Sequence, residues 1–158
     1  MGQNSPMPES RERTEEGRGE TTEANKPSAA ELDERVRLAL HAAGERKAHD
    51  LVVLDLREVA SFTDFFIITS GTNVRQVQAI ADAVQEYLRK ELRVKPARVE
   101  GYNSAEWVLL DYGDFVLHVF EEKARRFYDL ERLWRDAARI ALTGETAPGG
   151  EGSLRTER

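Results

Sequence analysis

Residues 105–120 read AEWVLLDYGDFVLHVF, and this segment constrains the fold more than any other part of the chain. Apolar runs on both sides of Tyr112-Gly113 predict a β-hairpin in which these two residues form the loop. The two strands of a hairpin are antiparallel, so a sheet that contains them cannot be wholly parallel. The rest of the chain therefore has to be placed around a mixed sheet.

Helical and extended patterns alternate before the hairpin. One helix is predicted to begin at the capping box Ser28–Glu31 and to end near Gly44. Apolar runs predict buried strands at 50–56 and 65–69, and a second helix from the capping box of Asn73 and Gln76 to about Leu92. A short strand is expected at 98–101. This alternation predicts an α/β fold, a mixed β-sheet flanked by helices.

A last helix is predicted after the hairpin. Asp129 can cap this helix, and apolar residues follow it at helical spacing. The residues that this helix is expected to bury are Leu130, Leu133, Trp134, Ala137, Ile140 and Ala141.

Composition bounds the classes of protein that remain. Residues 1–27 and 143–158 are polar and charged, so we expect disordered tails around one domain at 28–142. The net charge of -6 argues against a protein that binds the phosphate backbone of a nucleic acid through bulk positive charge. It is compatible with a basic protein partner. Cysteine is absent, which excludes thiolate metal sites and disulfides and fits a cytoplasmic protein. No apolar run approaches the roughly 20 residues that cross a bilayer.

The two faces of the predicted hairpin differ in composition. With Tyr112-Gly113 as the loop, Asp111 lies opposite Asp114, Leu109 opposite Val116, and Trp107 opposite His118. One face is uniformly apolar and suits the core; its members are Val108, Leu110, Phe115, Leu117 and Val119. The other face mixes an aromatic, two aliphatics, two acids and an imidazole; its members are Trp107, Leu109, Asp111, Asp114, Val116 and His118.

The mixed face has two interpretations. Two carboxylates directly opposite each other are unfavourable, and a basic partner would turn that penalty into complementarity. An exposed tryptophan beside aliphatic residues also has the composition of a protein-binding hot spot. Alternatively, helices cover this face and Trp107 belongs to the core.

Candidate catalytic groups are weakly supported. Asp111 and Asp114 could form a magnesium dyad, but the Asp-x-Asp spacing that points both carboxylates the same way is missing because residue 113 is glycine. Candidate serine nucleophiles, with His118 and Asp64 or Asp111 as helpers, are Ser61, Ser70 and Ser104. None of them lies in a G-x-S-x-G elbow. A basic cluster beside Phe127 and Tyr128 could contact RNA, or form a solvated helix face; it consists of Lys123, Arg125 and Arg126.

Several segments in a fixed order resemble a known family, the bacterial ribosomal silencing factors or Iojap-like proteins, over residues 29–140. The segments are Thr63-Asp64-Phe65-Phe66-Ile67-Ile68, Gly71-Thr72 with Gln76, Glu100-Gly101, Ser104-Ala105-Glu106-Trp107, Asp111-Tyr112-Gly113-Asp114, His118-Val119-Phe120, and 126–134, RFYDLERLW. The resemblance implies a nucleotidyltransferase-like topology without the catalytic aspartates, no enzymatic activity and no cofactor.

The resemblance also implies a function and a partner. Such proteins repress translation under nutrient limitation: they bind the large ribosomal subunit through ribosomal protein L-fourteen and sterically block joining of the small subunit. Members also act in large-subunit biogenesis and can form homodimers. Neither a membrane nor a sequence-specific nucleic acid is implied as a partner.

The resemblance assigns roles to residues of the mixed face. Trp107 is the expected anchor, Leu109 and Val116 extend the apolar patch, and Asp111 and Asp114 meet basic side chains. His118, Arg126 and Tyr128 are expected as further contacts or as structural residues. The alternatives are a metal-dependent nucleotidyltransferase that uses the two aspartates, and an RNA-binding assembly factor that uses Lys123 and Arg125.

Overall fold

The computed structural model describes residues 33–142, which form a mixed α/β domain. Both predicted tails and the Ser28–Glu31 capping box lie outside the described residues. The helices are α1 (Glu34–Glu45), α2 (Val74–Leu92), α3 (Glu122–Tyr128) and α4 (Leu130–Leu133). The strands are β1 (His49–Asp55), β2 (Phe65–Gly71), β3 (Arg98–Glu100), β4 (Trp107–Asp111), β5 (Phe115–Glu121) and β6 (Ala138–Arg139).

The six strands form one mixed sheet in the order β3-β4-β5-β2-β1-β6. β2 and β5 are paired in parallel at the centre, and the other neighbouring pairs are antiparallel. β2 is buried along its whole length, as its continuous apolar run predicts. The predicted fold class is therefore confirmed.

Helices α1 and α2 cover one face of this sheet. Asn73 caps α2 by accepting from the Gln76 amide at 2.8 Å, and the Gln76 side chain accepts from the Thr72 amide at 2.7 Å. The predicted cap by Asn73 is therefore confirmed, whereas the Gln76 side chain reaches the amide of Thr72 rather than that of Asn73. The apolar stripe of α2 packs into the core with little or no exposure; its buried members are Val77, Ile80, Ala81, Val84 and Leu88.

The hairpin forms, but its predicted register is wrong. Asp111 lies opposite Val116 rather than Asp114, Leu109 lies opposite His118, and Trp107 lies opposite Phe120. The loop residues are Gly113 and Asp114, with Gly113 at a φ of 90°, which suits glycine at the first central position of a hairpin turn. The penalty predicted for two opposed carboxylates therefore does not exist.

One contact within the hairpin and two from the segment before β2 support this register. Tyr112 stacks on Phe115 at 4.9 Å between ring centroids, which closes the turn one residue later than predicted. The Asp64 amide donates to the Asp114 carbonyl at 2.9 Å, and the Thr63 hydroxyl donates to the Gly113 carbonyl at 2.8 Å. Each opposed partner moves by two residues, so the side chains within the two strands keep their predicted faces, whereas Asp114 now lies in the loop and pairs with Arg35 of α1 on the other side of the sheet.

The predicted last helix is largely wrong. α4 spans four residues, and Asp129 precedes it at a φ of 48° without making a side-chain cap. This left-handed residue ends α3, and the predicted helix stops at Leu133 because the chain that follows it returns to the sheet and pairs with β1. Leu133 is consequently 72% exposed, and residues 138–139 extend as β6 along β1. Leu130, Ala137 and Ile140 are buried as predicted, and Trp134 is half-buried, whereas Ala141 is exposed.

Candidate interaction surface

The sheet face opposite α1 and α2 is only partly covered. The helices on this side, α3 and α4, have seven and four residues, against twelve and nineteen for α1 and α2. They cover a smaller buried cluster, which consists of Leu54, Leu56, Phe66, Ile68, Val116, Phe120, Ala124, Leu130 and Ala137. Trp107, Leu109 and Trp134 pack against this cluster but remain half-buried. This face thus has a buried apolar cluster next to the sheet and half-buried side chains above it.

Aromatic rings run across this face in a continuous series. Neighbouring ring centroids lie 4.4–5.9 Å apart, within the range of favourable aromatic pairs. The series runs Phe127, Tyr128, Trp107, His118, Phe66, Trp134, Phe62. We call these seven residues, together with Leu109, the aromatic face.

Both ends of the aromatic face are open to solvent. Phe127 is 79% exposed at one end and Phe62 is 61% exposed at the other. Tyr128, next to Phe127, is also exposed. Adjoining exposed apolar side chains of this kind mark sites of contact with another macromolecule. The predicted alternative in which helices bury this face completely therefore does not hold, although Trp107 itself is part core and part surface.

Trp107 is held in place from below. Its Nε1 donates a hydrogen bond to Nδ1 of His118 at 3.1 Å. His118 is 3% exposed, and burial lowers its pKa to about 3, so the imidazole is neutral at neutral pH. Since Nδ1 accepts, the proton of the neutral ring sits on Nε2, which is buried and lacks a partner among residues 33–142.

The backbone beneath Trp107 also depends on close packing. Gly101, at the end of β3, has a φ of 79° and faces the Trp107 carbonyl so closely that a Cβ would overlap it. The Glu121 amide donates to the Glu106 carbonyl at 2.9 Å and fastens the start of β4 to β5. The indole is therefore presented on a constrained backbone rather than on a loose loop.

The structure separates the two predicted acidic residues. Asp111 lies on the aromatic-face side of β4, where its carboxylate accepts from Arg98 at 3.4 Å and from the Gly113 amide at 2.9 Å. Asp114 pairs with Arg35, which belongs to α1 on the opposite side of the sheet. The two carboxylates thus have different cationic partners and do not converge as a metal dyad requires.

The remaining predicted residues are distributed between interior and surface. Val116 is 7% exposed, so it supports the aromatic face from within. Arg126 and Lys123 are exposed on α3, whereas the neighbouring Arg125 is turned inward. An RNA contact through Arg125 would first require breaking its internal ion pair.

The predicted serine nucleophiles do not meet a base. Within the described part of the chain, no serine hydroxyl is hydrogen-bonded to His118, whose accepting nitrogen is taken by Trp107. Ser70 instead accepts from Arg125 at 3.1 Å, and Ser104 donates weakly to the Gly101 carbonyl. Ser61 is exposed in the segment before β2.

Sequence reasoning missed two members of the aromatic face, Phe62 and Trp134, and it missed the exposure of Leu133. No sequence pattern singled out Phe62, and Leu133 and Trp134 belong to the stripe that the predicted last helix is expected to bury. Adjacent residues can both be buried in a wide apolar stripe, as Ile80 and Ala81 of α2 are, so the pair Leu133-Trp134 gave no signal that Leu133 is exposed. For Phe62, the signal of surface exposure in the sequence is its position in a turn segment between two predicted strands.

The fold and surface define a class: a small α/β domain with one side of its sheet closed by helices and the other side open and aromatic. A family model described as "Ribosomal silencing factor during starvation" matches residues 29–157. The chain belongs to this family of ribosomal silencing factors. The predicted resemblance is therefore confirmed.

Individual relatives agree with this assignment. The chain is 40% identical over 111 residues to the ribosomal silencing factor of Halalkalibacterium halodurans, covering 70% of this chain and 94% of that protein. It is 37% identical over 102 residues to that of Bacillus subtilis, covering 65% and 86%. The maize protein "Protein Iojap, chloroplastic" is 36% identical over 105 residues, or 66% and 45% of the two chains.

Solved structures show the same fold. A protein from Bacillus halodurans is similar with a TM-score of 0.61 at 37% identity, over 68% of this chain and 96% of that one. A protein from Chromobacterium violaceum has a TM-score of 0.62 at 36% identity, over 77% and 96%. Membership of the family gives the chain a ribosome-associated silencing role in translation. Among the described residues, no helix has the length and apolar character to cross a membrane.

Proposed function

We propose that the aromatic face binds the large ribosomal subunit at its protein L-fourteen, and that the bound domain sterically blocks joining of the small subunit. Translation then falls when nutrients are limited. The observation that carries this proposal is the aromatic series around Trp107, which is exposed at Phe127, Tyr128 and Phe62 and lies on the side of the sheet that short helices cover only in part. This inhibition needs occupancy of a surface and no chemical step.

Trp107 is the anchor of the proposed interface. Its ring packs 4.8 Å from Tyr128 and 4.9 Å from Phe120, between centroids, and its N–H is bonded to His118. A side chain that is already fixed loses little conformational entropy when a partner covers it. Aromatic anchors of this kind contribute most of the binding free energy at protein interfaces, commonly about 2 kcal/mol or more each.

Charged residues at the edge have smaller roles. Asp111 lies at the end of β4 away from the Trp107 end, half-buried and paired with Arg98. Here it can meet a basic side chain of the ribosomal protein and bias the orientation of binding. Arg126 is exposed on α3, two residues before Tyr128. We place Asp114 outside the interface because its carboxylate is engaged by Arg35 on the far side of the sheet.

The proposal is tested by sucrose-gradient sedimentation of purified ribosomal subunits. Added wild-type protein should reduce the peak of joined subunits, and Trp107→Ala or Asp111→Lys should restore it. Glu91→Lys is a matched control for the charge change, because Glu91 is exposed on α2 on the opposite side of the sheet. Far-UV circular dichroism checks that each variant is folded. If Trp107→Ala and Asp111→Lys inhibit joining as well as wild type, the aromatic face is not the interface.

A further inference from the structure

Arg125 differs from every other cation of the α3–α4 segment because its side chain is turned into the domain. Only 13% of the side chain is exposed. Its Nε donates to Glu131 of α4 at 2.8 Å. One terminal nitrogen donates to the Ser70 hydroxyl at 3.1 Å and to the His49 carbonyl at 3.3 Å. One guanidinium thus joins the end of β2, the start of β1 and the helix that follows α3.

A second layer of ion pairs extends this junction. The other carboxylate oxygen of Glu131 accepts from Arg139 of β6 at 3.2 Å. His49 Nδ1 lies 2.7 Å from a carboxylate oxygen of Glu122, at the start of α3. The polar cluster therefore connects α3, α4 and β6 with the two strands on which they rest, and Arg125 is its central member.

Apolar packing alone holds the α3–α4 segment weakly. Isolated helices of seven and four residues are far below the length at which a helix is stable in water. Each of these helices buries one apolar side chain, Ala124 in α3 and Leu130 in α4. The polar contacts of Arg125 therefore add to the ring contacts of Tyr128 and Trp134 in holding the segment on the sheet.

The same segment carries much of the aromatic face. Phe127 and Tyr128 end α3, and Trp134 follows α4. Tyr128 reaches Trp107, and Trp134 reaches Phe66 at 5.7 Å between ring centroids. A shift of the segment would separate these rings from the rings on the strands.

We propose that Arg125 is a positioning residue for the aromatic face: its guanidinium fixes α3 and α4 on the sheet, so that the face is assembled before a partner arrives. The proposal rests on the docking role proposed above for that face. Arginine is required rather than lysine because a planar fork can serve a carboxylate, a hydroxyl and a carbonyl at fixed angles, whereas an ammonium group is a single point.

The free protein offers a direct readout, because the chain has two tryptophans, Trp107 and Trp134, and both belong to the aromatic face. In a Trp107→Phe background, Trp134 is the sole tryptophan and reports on the packing of the segment that Arg125 holds. Arg125→Met should shift its emission to longer wavelength and increase its quenching by acrylamide, at a temperature where circular dichroism shows a folded domain. Arg125→Lys should restore part of the change.

A matched control is available on α2. Arg89 forms an exposed ion pair with Glu86 at 3.6 Å on the covered side of the sheet. Arg89→Met makes the same chemical change far from the α3–α4 segment, and it should leave Trp134 emission unchanged. Unchanged Trp134 emission and quenching in Arg125→Met would overturn the proposal.

Binding gives the second readout. With Trp107 intact, Arg125→Met should weaken binding to isolated large subunits by about tenfold, the scale expected when two or three interface side chains must be ordered on binding. Arg125→Lys should be intermediate and Arg89→Met should bind as wild type. Equal affinity of Arg125→Met and wild type would also contradict the proposal.

Two milder variants keep the test decisive if Arg125→Met fails to fold. Ser70→Ala and Glu131→Gln each weaken one contact of Arg125, and both should shift Trp134 emission in the same direction by a smaller amount. No shift in either variant would refute the positioning role. If wild-type protein fails to bind large subunits at all, the proposed function fails, while the fluorescence of the free protein still decides the role of Arg125.

Discussion

The two faces of the central sheet are built from alternate residues of the same strands, yet they differ in how completely their side chains are buried. Along β4, Val108 and Leu110 are fully buried under α1 and α2, whereas Trp107, Leu109 and Asp111 are half-buried on the other side. The covered face is closed by 31 helical residues, the aromatic face by 11. Incomplete cover is what leaves aromatic side chains available to a partner.

We expect the covered face to contribute mainly to stability and the aromatic face mainly to binding. Burial of a large apolar side chain contributes about 1.5–3 kcal/mol, so the covered face supplies most of the stability of the domain. The aromatic face gives up part of that contribution and keeps surface that can be buried on binding instead. Substitutions on the two faces should therefore separate stability from ribosome binding.

The largest effect is expected on the covered face. Leu110→Ala removes a side chain with 0% exposure and should lower the free energy of unfolding by about 2–5 kcal/mol. Leu109→Ala, one residue away on the half-buried face, should cost clearly less. Urea unfolding followed by circular dichroism measures both. Equal losses would show that the aromatic face is as much a stability core as the covered one.

The next effect concerns binding. Trp107→Ala should weaken binding to isolated large subunits by about 2 kcal/mol or more, because it removes the proposed anchor. Trp107→Phe keeps a ring but loses the N–H that reaches His118, and it should lose less affinity. Titration calorimetry or sedimentation with labelled protein measures the difference. An unchanged affinity in Trp107→Ala would place the contact on another surface.

Acid should lower the free energy of unfolding through His118, a buried member of the aromatic face. Burial lowers the pKa of His118 from 6.5 to about 3. Between these values the unfolded chain binds a proton that the folded chain does not, so the free energy of unfolding rises with pH, by up to about 1.4 kcal/mol per unit. This stability is fully present above pH 6.5 and is lost as the pH falls toward 3.

Urea titrations at several pH values measure this slope. His118→Asn is the matched variant, since its side-chain oxygen can take the place of the accepting nitrogen but does not titrate. The difference in slope between wild type and variant isolates His118 from the carboxylates. If the two slopes agree in this window, His118 is not buried as a neutral acceptor.

The smallest effect is expected at the open end of the aromatic face. Phe62→Ser changes a side chain that is 61% exposed and should alter the free energy of unfolding by about 0.5 kcal/mol or less. Leu130→Ser, on the same side of the sheet but 8% exposed, should destabilise the domain much more. Thermal unfolding of both variants is sufficient, and a large loss for Phe62→Ser would mean that this ring is part of the core.

Prediction from sequence succeeded where short-range patterns suffice. The continuous apolar run of β2, the helix cap at Asn73 and the alternation along β4 each depend on neighbouring residues. It failed for the hairpin register, because Tyr112-Gly113 and Gly113-Asp114 are both acceptable loops. The Asp64 amide and the stacking of Tyr112 on Phe115 selected the second loop. It also failed after Asp129, where only Leu130–Leu133 of the predicted last helix is helical and residues 138–139 pair with β1 instead.

The amino-acid pattern by itself determined a mixed sheet, one buried face and an aromatic residue at position 107 on the other, because the two-residue period of a strand assigns side chains to faces whatever the register. Only the tertiary structure decided which residues join Trp107 in the aromatic face. Phe62, Tyr128 and Trp134 come from distant segments, and their convergence depends on where α3 and α4 lie on the sheet. That position is set by long-range contacts such as those of Arg125, which no local pattern encodes.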